Sequence, residues 1–150
     1  GLGRDDKRKK PMSHTCSSAL IRCMDFRLTD AINKWLEEKG IMNDCDMISV
    51  AGIAKVIADN SESPEAKYIL KQFELSKKLH NTKTLYLMHH TDCGEYGGHK
   101  AFAGLDEEKA KYKADMEKAR EVIKSLMPDL EIKFVLADIK DDSSVEILEY

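Results

Sequence analysis

Short apolar runs alternate along the chain with stretches whose apolar positions recur every three or four residues. Ala19-Leu20-Ile21 reads as a short buried strand. Thr29 and Asp30 can cap a helix over 29–39, with Ala31, Ile32, Trp35 and Leu36 on one face and Gly40 as its stop. A β-rich run follows at 46–51. Ser63-Pro64-Glu65 has the form of a capped helix start, and the stripe Ala66, Ile69, Leu70, Phe73 and Leu79 carries that helix to about residue 80. A third strand is expected at 84–88. A long charged helix over 106–127 follows, packed through Ala110, Met116, Ala119, Val122 and Ile123 and ended by Pro128. Residues 132–139 and 145–148 read as a fourth strand and a short fifth.

This strand–helix alternation predicts an α/β fold: an open, mainly parallel β-sheet of four strands plus a short fifth strand, with helices on both faces. Ligands in such sheets bind beyond the carboxyl ends of the strands, at a topological switch point. Residue 23 lies just past the first strand and residue 90 just past the third, so chemistry is expected there.

Length narrows the picture to one domain, since 150 residues can bury a real core but not two ordinary ones. Residues 1–15 are expected to be a disordered or extraneous tail and residues 16–150 a single domain. With 24 basic and 27 acidic residues spread along the chain, no global field points to nucleic acid or membrane. No apolar run is long enough to span a bilayer, and no signal peptide opens the chain, so a cytoplasmic protein is expected. Four cysteines without dense, regular spacing do not form a secreted disulfide scaffold, and a reducing compartment leaves their thiolates free for metal.

Candidate chemistry lies in two short stretches, Cys23-Met24-Asp25-Phe26-Arg27 and His90-Thr91-Asp92-Cys93-Gly94. Cys23, His90 and Cys93 supply two thiolates and an imidazole, a soft set that favours zinc and leaves a fourth tetrahedral position open. His90 is preferred over His89 because it stands three residues before Cys93, and neighbouring strand residues face opposite ways. Asp25 can reach a water at the metal, and Arg27 can orient that carboxylate through paired hydrogen bonds. Asp92 is expected to hydrogen-bond its own loop. Cys16 and Cys45 are surplus and read as small, half-buried side chains.

Cys23-x-Asp25-x-Arg27 with His90-x-x-Cys93-Gly94 resembles the two zinc motifs of the β-class carbonic anhydrases, and Ala51-Gly52 is similar to that family's turn after the second strand. The resemblance spans roughly residues 19–139 in element order. It implies one Zn2+ per subunit on Cys23, His90 and Cys93, with Asp25 and Arg27 as catalytic residues. It also implies a homodimer or higher homo-oligomer, and carbon dioxide and bicarbonate as the small-molecule partners. Two departures stand out: Phe26 replaces a small residue, with a ring expected to narrow or dry the approach to zinc, and Ser49-Val50 replaces a polar pair.

The function implied is zinc-dependent reversible hydration of carbon dioxide to bicarbonate by a zinc-bound hydroxide, as in a carbonate dehydratase. Two thiolates neutralise the formal charge of zinc, so activity is expected to rise into alkaline pH. The fourth metal position holds either water or Asp25 itself. A proton shuttle is sought among His89, Tyr96 and His99, of which His99 after Gly97-Gly98 is the mobile candidate. The alternatives are a carbonyl sulfide or carbon disulfide hydrolase of the same fold and a non-catalytic zinc-binding protein.

Overall fold

A computed structural model describes residues 14–150; the tail expected over residues 1–15 lies almost wholly outside the described residues. Strands β1 (Ser18–Arg22), β2 (Cys45–Ser49), β3 (Thr84–His90), β4 (Glu131–Ile139) and β5 (Val145–Glu149) form one sheet in the order β2-β1-β3-β4-β5. The first four run parallel, and β5 returns antiparallel along β4. Helices α1 (Thr29–Glu38), α2 (Ala54–Asp59), α3 (Pro64–His80) and α4 (Leu105–Leu126) connect them. Among the described residues no helix is long and apolar enough to cross a membrane.

Both faces of the sheet are covered, as expected, and β3 records it through side chains of opposite parity. Tyr86 meets Trp35 of α1 edge-on, with ring centroids 5.1 Å apart, whereas His89 stacks on Tyr112 of α4 at 5.0 Å. Chain order explains the division. From β1 the path moves one way to β2 and then crosses back over β1 to β3, so right-handed crossovers place α1 on one face and the later helices on the other. The direction reverses between β1 and β3, which makes their carboxyl ends the switch point.

Local signals account for most boundaries. Ser63 Oγ accepts the Ala66 N–H at 3.1 Å and Pro64 opens α3, a cap that stabilises the helix by about 1 kcal/mol. Asn81 closes the same helix in the left-handed region, at φ 56°. The start of α1 differs from the expected Thr29-Asp30 cap, because Phe26–Leu28 already form a 3-10 turn capped by Asp25. Ile32, Trp35 and Leu36 of α1 are buried, each stabilising by at most about 3 kcal/mol.

Two packing expectations are corrected, and one element is added. Leu79 is 59% exposed, and Ser76 takes its place on the inner face of α3. Ala110 is exposed, and the inner face of α4 instead carries Glu108, Tyr112, Asp115, Met116, Ala119 and Ile123. The short helix α2, packed on α4, fills a stretch that the sequence pattern leaves without an element.

Candidate metal centre

Register brings the two motifs together. Arg22, the last residue of β1, pairs with Met88 on β3, so Cys23 emerges level with His89 and His90 as the strands end. The donor atoms of Cys23, His90 and Cys93 lie within 4.8 Å of one another, and all three residues are buried. The His90 ring is oriented by its own loop: Nδ1–H donates to the Thr91 carbonyl at 2.7 Å, leaving the lone pair on Nε2. That Nε2 is the one buried side-chain polar atom without a hydrogen-bond partner among the described residues. Two thiols and an orphaned imidazole nitrogen converging in this way fit a bound soft or borderline divalent metal.

The thiols divide their proton unequally. Hydrogen bonding from Cys93 favours the Cys23 thiolate most, against the cost of burial, and the backbone N–H groups of Gly52 and Asp25 add to the effect. Cys93 is pushed up by the same contact with Cys23 and by burial. The Gly52 contribution needs a tight turn at φ 71°, and a Cβ there would lie 2.9 Å from Glu95 Cβ. Beside it, buried Ile53 is held at φ 27°, a strained conformation for a β-branched residue that opens α2 at the rim of the centre.

Asp25 and Arg27 form a fork. Arg27 Nη2 donates to Asp25 Oδ2 at 2.8 Å and Nε to Oδ1 at 3.0 Å, while the Arg27 backbone N–H also reaches Oδ1 at 2.9 Å. These hydrogen bonds, led by the guanidinium, hold the Asp25 carboxyl below its ordinary pKa, and the carboxylate raises Arg27 in turn. Asp25 Oδ2 stands 3.9 Å from His90 Nε2, beside the three-donor group but not part of it.

Asp92 does bond its own loop, accepting the His99 backbone N–H at 2.9 Å, but it also extends the fork. Arg27 Nη1 donates to Asp92 Oδ2 at 3.1 Å, and Nη2 to the Asp92 carbonyl at 3.1 Å. Asp92 is held well below the carboxylate range, first by the His99 N–H. The expected drying of the site by Phe26 is absent in the single chain, since that ring is 86% exposed.

The shuttle candidates separate by burial. His89 is fully buried between Tyr96 and Tyr112, and the Tyr96 hydroxyl donates to buried Asp115 at 2.6 Å. The His99 side chain is 64% exposed, with Nδ1 2.9 Å from Asp92 Oδ1.

Two supporting residues escape a reading of the sequence. Arg22 is buried at the end of β1, with Nε donating to the Cys23 carbonyl and Nη2 to that of Asp25 at 2.9 Å. Glu108 on α4 accepts the Asp92 N–H. A polar residue in a strand or helix signals such a role only through its partner, and no local pattern marks it.

A family model described as "Putative carbonic anhydrase" matches residues 13–148. An uncharacterized protein of Rickettsia conorii is 30% identical over 119 residues, covering 77% of this chain and 64% of its own length. An uncharacterized protein of Rickettsia bellii is 31% identical over 119 residues, 77% of this chain and 73% of that protein. The match thus spans a little under two thirds of the first relative.

Proposed function

The chain belongs to the family described as "Putative carbonic anhydrase", and on that premise we propose that it catalyses the reversible hydration of carbon dioxide to bicarbonate with zinc on Cys23, His90 and Cys93. The observation that carries this reading is the Asp25–Arg27 fork standing beside a buried three-donor group with its imidazole nitrogen free. Zinc held there would supply a Lewis acid that lowers the pKa of water far enough for hydroxide to attack the carbon of carbon dioxide near neutral pH.

The chain's own groups have distinct tasks in this reaction. Asp25, kept ionised by Arg27, accepts a hydrogen bond from the attacking water and so orients its lone pair toward the substrate carbon. Because both Asp25 oxygens are engaged by Arg27, the carboxylate would be held back from joining Cys23, His90 and Cys93 as a ligand. Arg27 in turn is fixed by Asp92, which ties the two halves of the site together. His99, exposed and bonded to Asp92, passes the proton released on hydration to buffer. A homodimer or higher homo-oligomer in the cytoplasm completes the proposal, supported by the exposed apolar side chains of Met24, Phe26 and Met47.

Stopped-flow carbon dioxide hydration at mildly alkaline pH, with zinc content quantified and Asp25→Ala alongside, tests the reading. Fast turnover by the zinc-loaded protein, strongly reduced in the variant, is expected. Absence of turnover at full zinc loading would overturn it. Hydrolysis of carbonyl sulfide or carbon disulfide would then identify a sulfur-substrate hydrolase, and inactivity toward all three a non-catalytic zinc protein.

A further inference from the structure

At the opposite end of the sheet a second set of potential metal donors comes together. Cys16 lies two residues before the start of β1, Asp46 is the second residue of β2 and His80 ends α3. One donor atom from each lies within 4.8 Å of the others, and all three residues are half-buried. Cys16 stands seven residues before Cys23, roughly 20 Å away along an extended chain, so this group is separate from the first centre.

Each member is held in place by the fold. The Cys16 backbone N–H donates to the His80 carbonyl at 2.9 Å, which fixes the chain entering β1 against the end of α3. His80 Nδ1 lies 2.7 Å from Asp46 Oδ2, and the Ser76 hydroxyl donates to the same oxygen at 2.7 Å. Thr82 Oγ1 lies 2.6 Å from Ser76 Oγ and 3.6 Å from Cys16 Sγ. Ser76 and Thr82 are buried beneath the group and restrain its carboxylate and thiol. The ring of His14 packs against that of His80 with centroids 4.9 Å apart, which covers the imidazole from the chain side.

We propose that Cys16, Asp46 and His80 form a second site for a zinc-class divalent cation. The juxtaposition of a thiol, an imidazole and a carboxylate from three separate elements is the basis. One thiolate, one imidazole and one carboxylate suit zinc or cobalt(II) and poorly suit magnesium or calcium, which take oxygen donors. Binding displaces the proton of the Cys16 thiol to solvent and shifts the His80 ring proton from Nδ1 to Nε2, so that the His80–Asp46 hydrogen bond is exchanged for two metal bonds with Ser76 still orienting Asp46. The ion would clamp the segment before β1 to β2 and to the end of α3, a structural role independent of catalysis at the other end of the strands.

The test is metal stoichiometry at micromolar free zinc, by equilibrium dialysis and elemental analysis, on the parent, Cys16→Ser and His80→Ala. Far-UV circular dichroism establishes that each is folded, and the near-isosteric Cys16→Ser is the variant expected to keep the fold. Each variant is expected to bind one equivalent fewer than the parent. This difference holds whether or not the Cys23–His90–Cys93 centre is loaded, which keeps the two assignments distinguishable. Cobalt(II) gives the second readout: the thiolate charge-transfer absorption of the parent should lose one Cys contribution in Cys16→Ser, while the remaining spectrum persists. Equal stoichiometry and unchanged spectra in the parent and folded Cys16→Ser would overturn the site.

Discussion

Glu108, buried on α4, accepts the backbone N–H of Asp92 at 2.6 Å, and the same carboxylate oxygen accepts the Tyr112 hydroxyl at 2.6 Å. One side chain therefore links the helix packed on the sheet to the turn between His90 and Cys93. Glu108→Ala leaves both donors without that partner inside the protein. A loss of about 3 kcal/mol in stability is expected, with weaker zinc binding, measured by urea unfolding and metal competition. A variant as stable as the parent would separate Glu108 from the support of this turn.

Arg27 makes contacts to Asp25 and Asp92 that need a planar fork. Arg27→Lys keeps the charge but offers one point donor, so carbon dioxide hydration should fall by about 10- to 100-fold with zinc content retained. Parental turnover in Arg27→Lys would remove the fork from the reaction.

Removal of the metal should be visible as a loss of stability, because His90 Nε2 has no protein partner when the ion is gone. The measurement is best made in Cys16→Ser protein, so that the strand-end centre alone is read. If zinc is present at about a thousand times its dissociation constant, chelation should lower the melting midpoint by roughly 10 °C. An unchanged midpoint would count against a metal at Cys23, His90 and Cys93.

Burial pushes the pKa of His89 down to about 3, with neighbouring His90 contributing. The folded state thus holds this ring neutral well below the ordinary histidine pKa of about 6.5. Between these values the unfolded chain binds the proton and the folded one does not, so the contribution to stability is complete above about pH 7 and declines as pH falls. At pH 5 the loss is about 2 kcal/mol relative to pH 8. Urea unfolding of the parent and His89→Phe at both pH values measures it; the difference between the two pH values should be smaller in the variant by that amount. Equal differences in the two proteins would show that His89 titrates normally.

Reading residues in order was enough for the alternation of strands and helices, the Ser63-Pro64 start of α3 and the convergence of Cys23 with His90 and Cys93 at the carboxyl ends of β1 and β3. These features depend on near neighbours: hydrophobic period, side-chain caps, and the rule that a parallel sheet collects its loops at one end. Tertiary packing settled the rest. It turned Leu79 and Ala110 outward while burying Glu108, Tyr112 and Asp115, it set Arg22 behind Cys23, and it joined Cys16, Asp46 and His80 across three elements. The physical reason is that the cost of burying a polar group is set by its partner, and here the partners lie far along the chain: sixteen residues from Asp92 to Glu108 and thirty-four from Asp46 to His80.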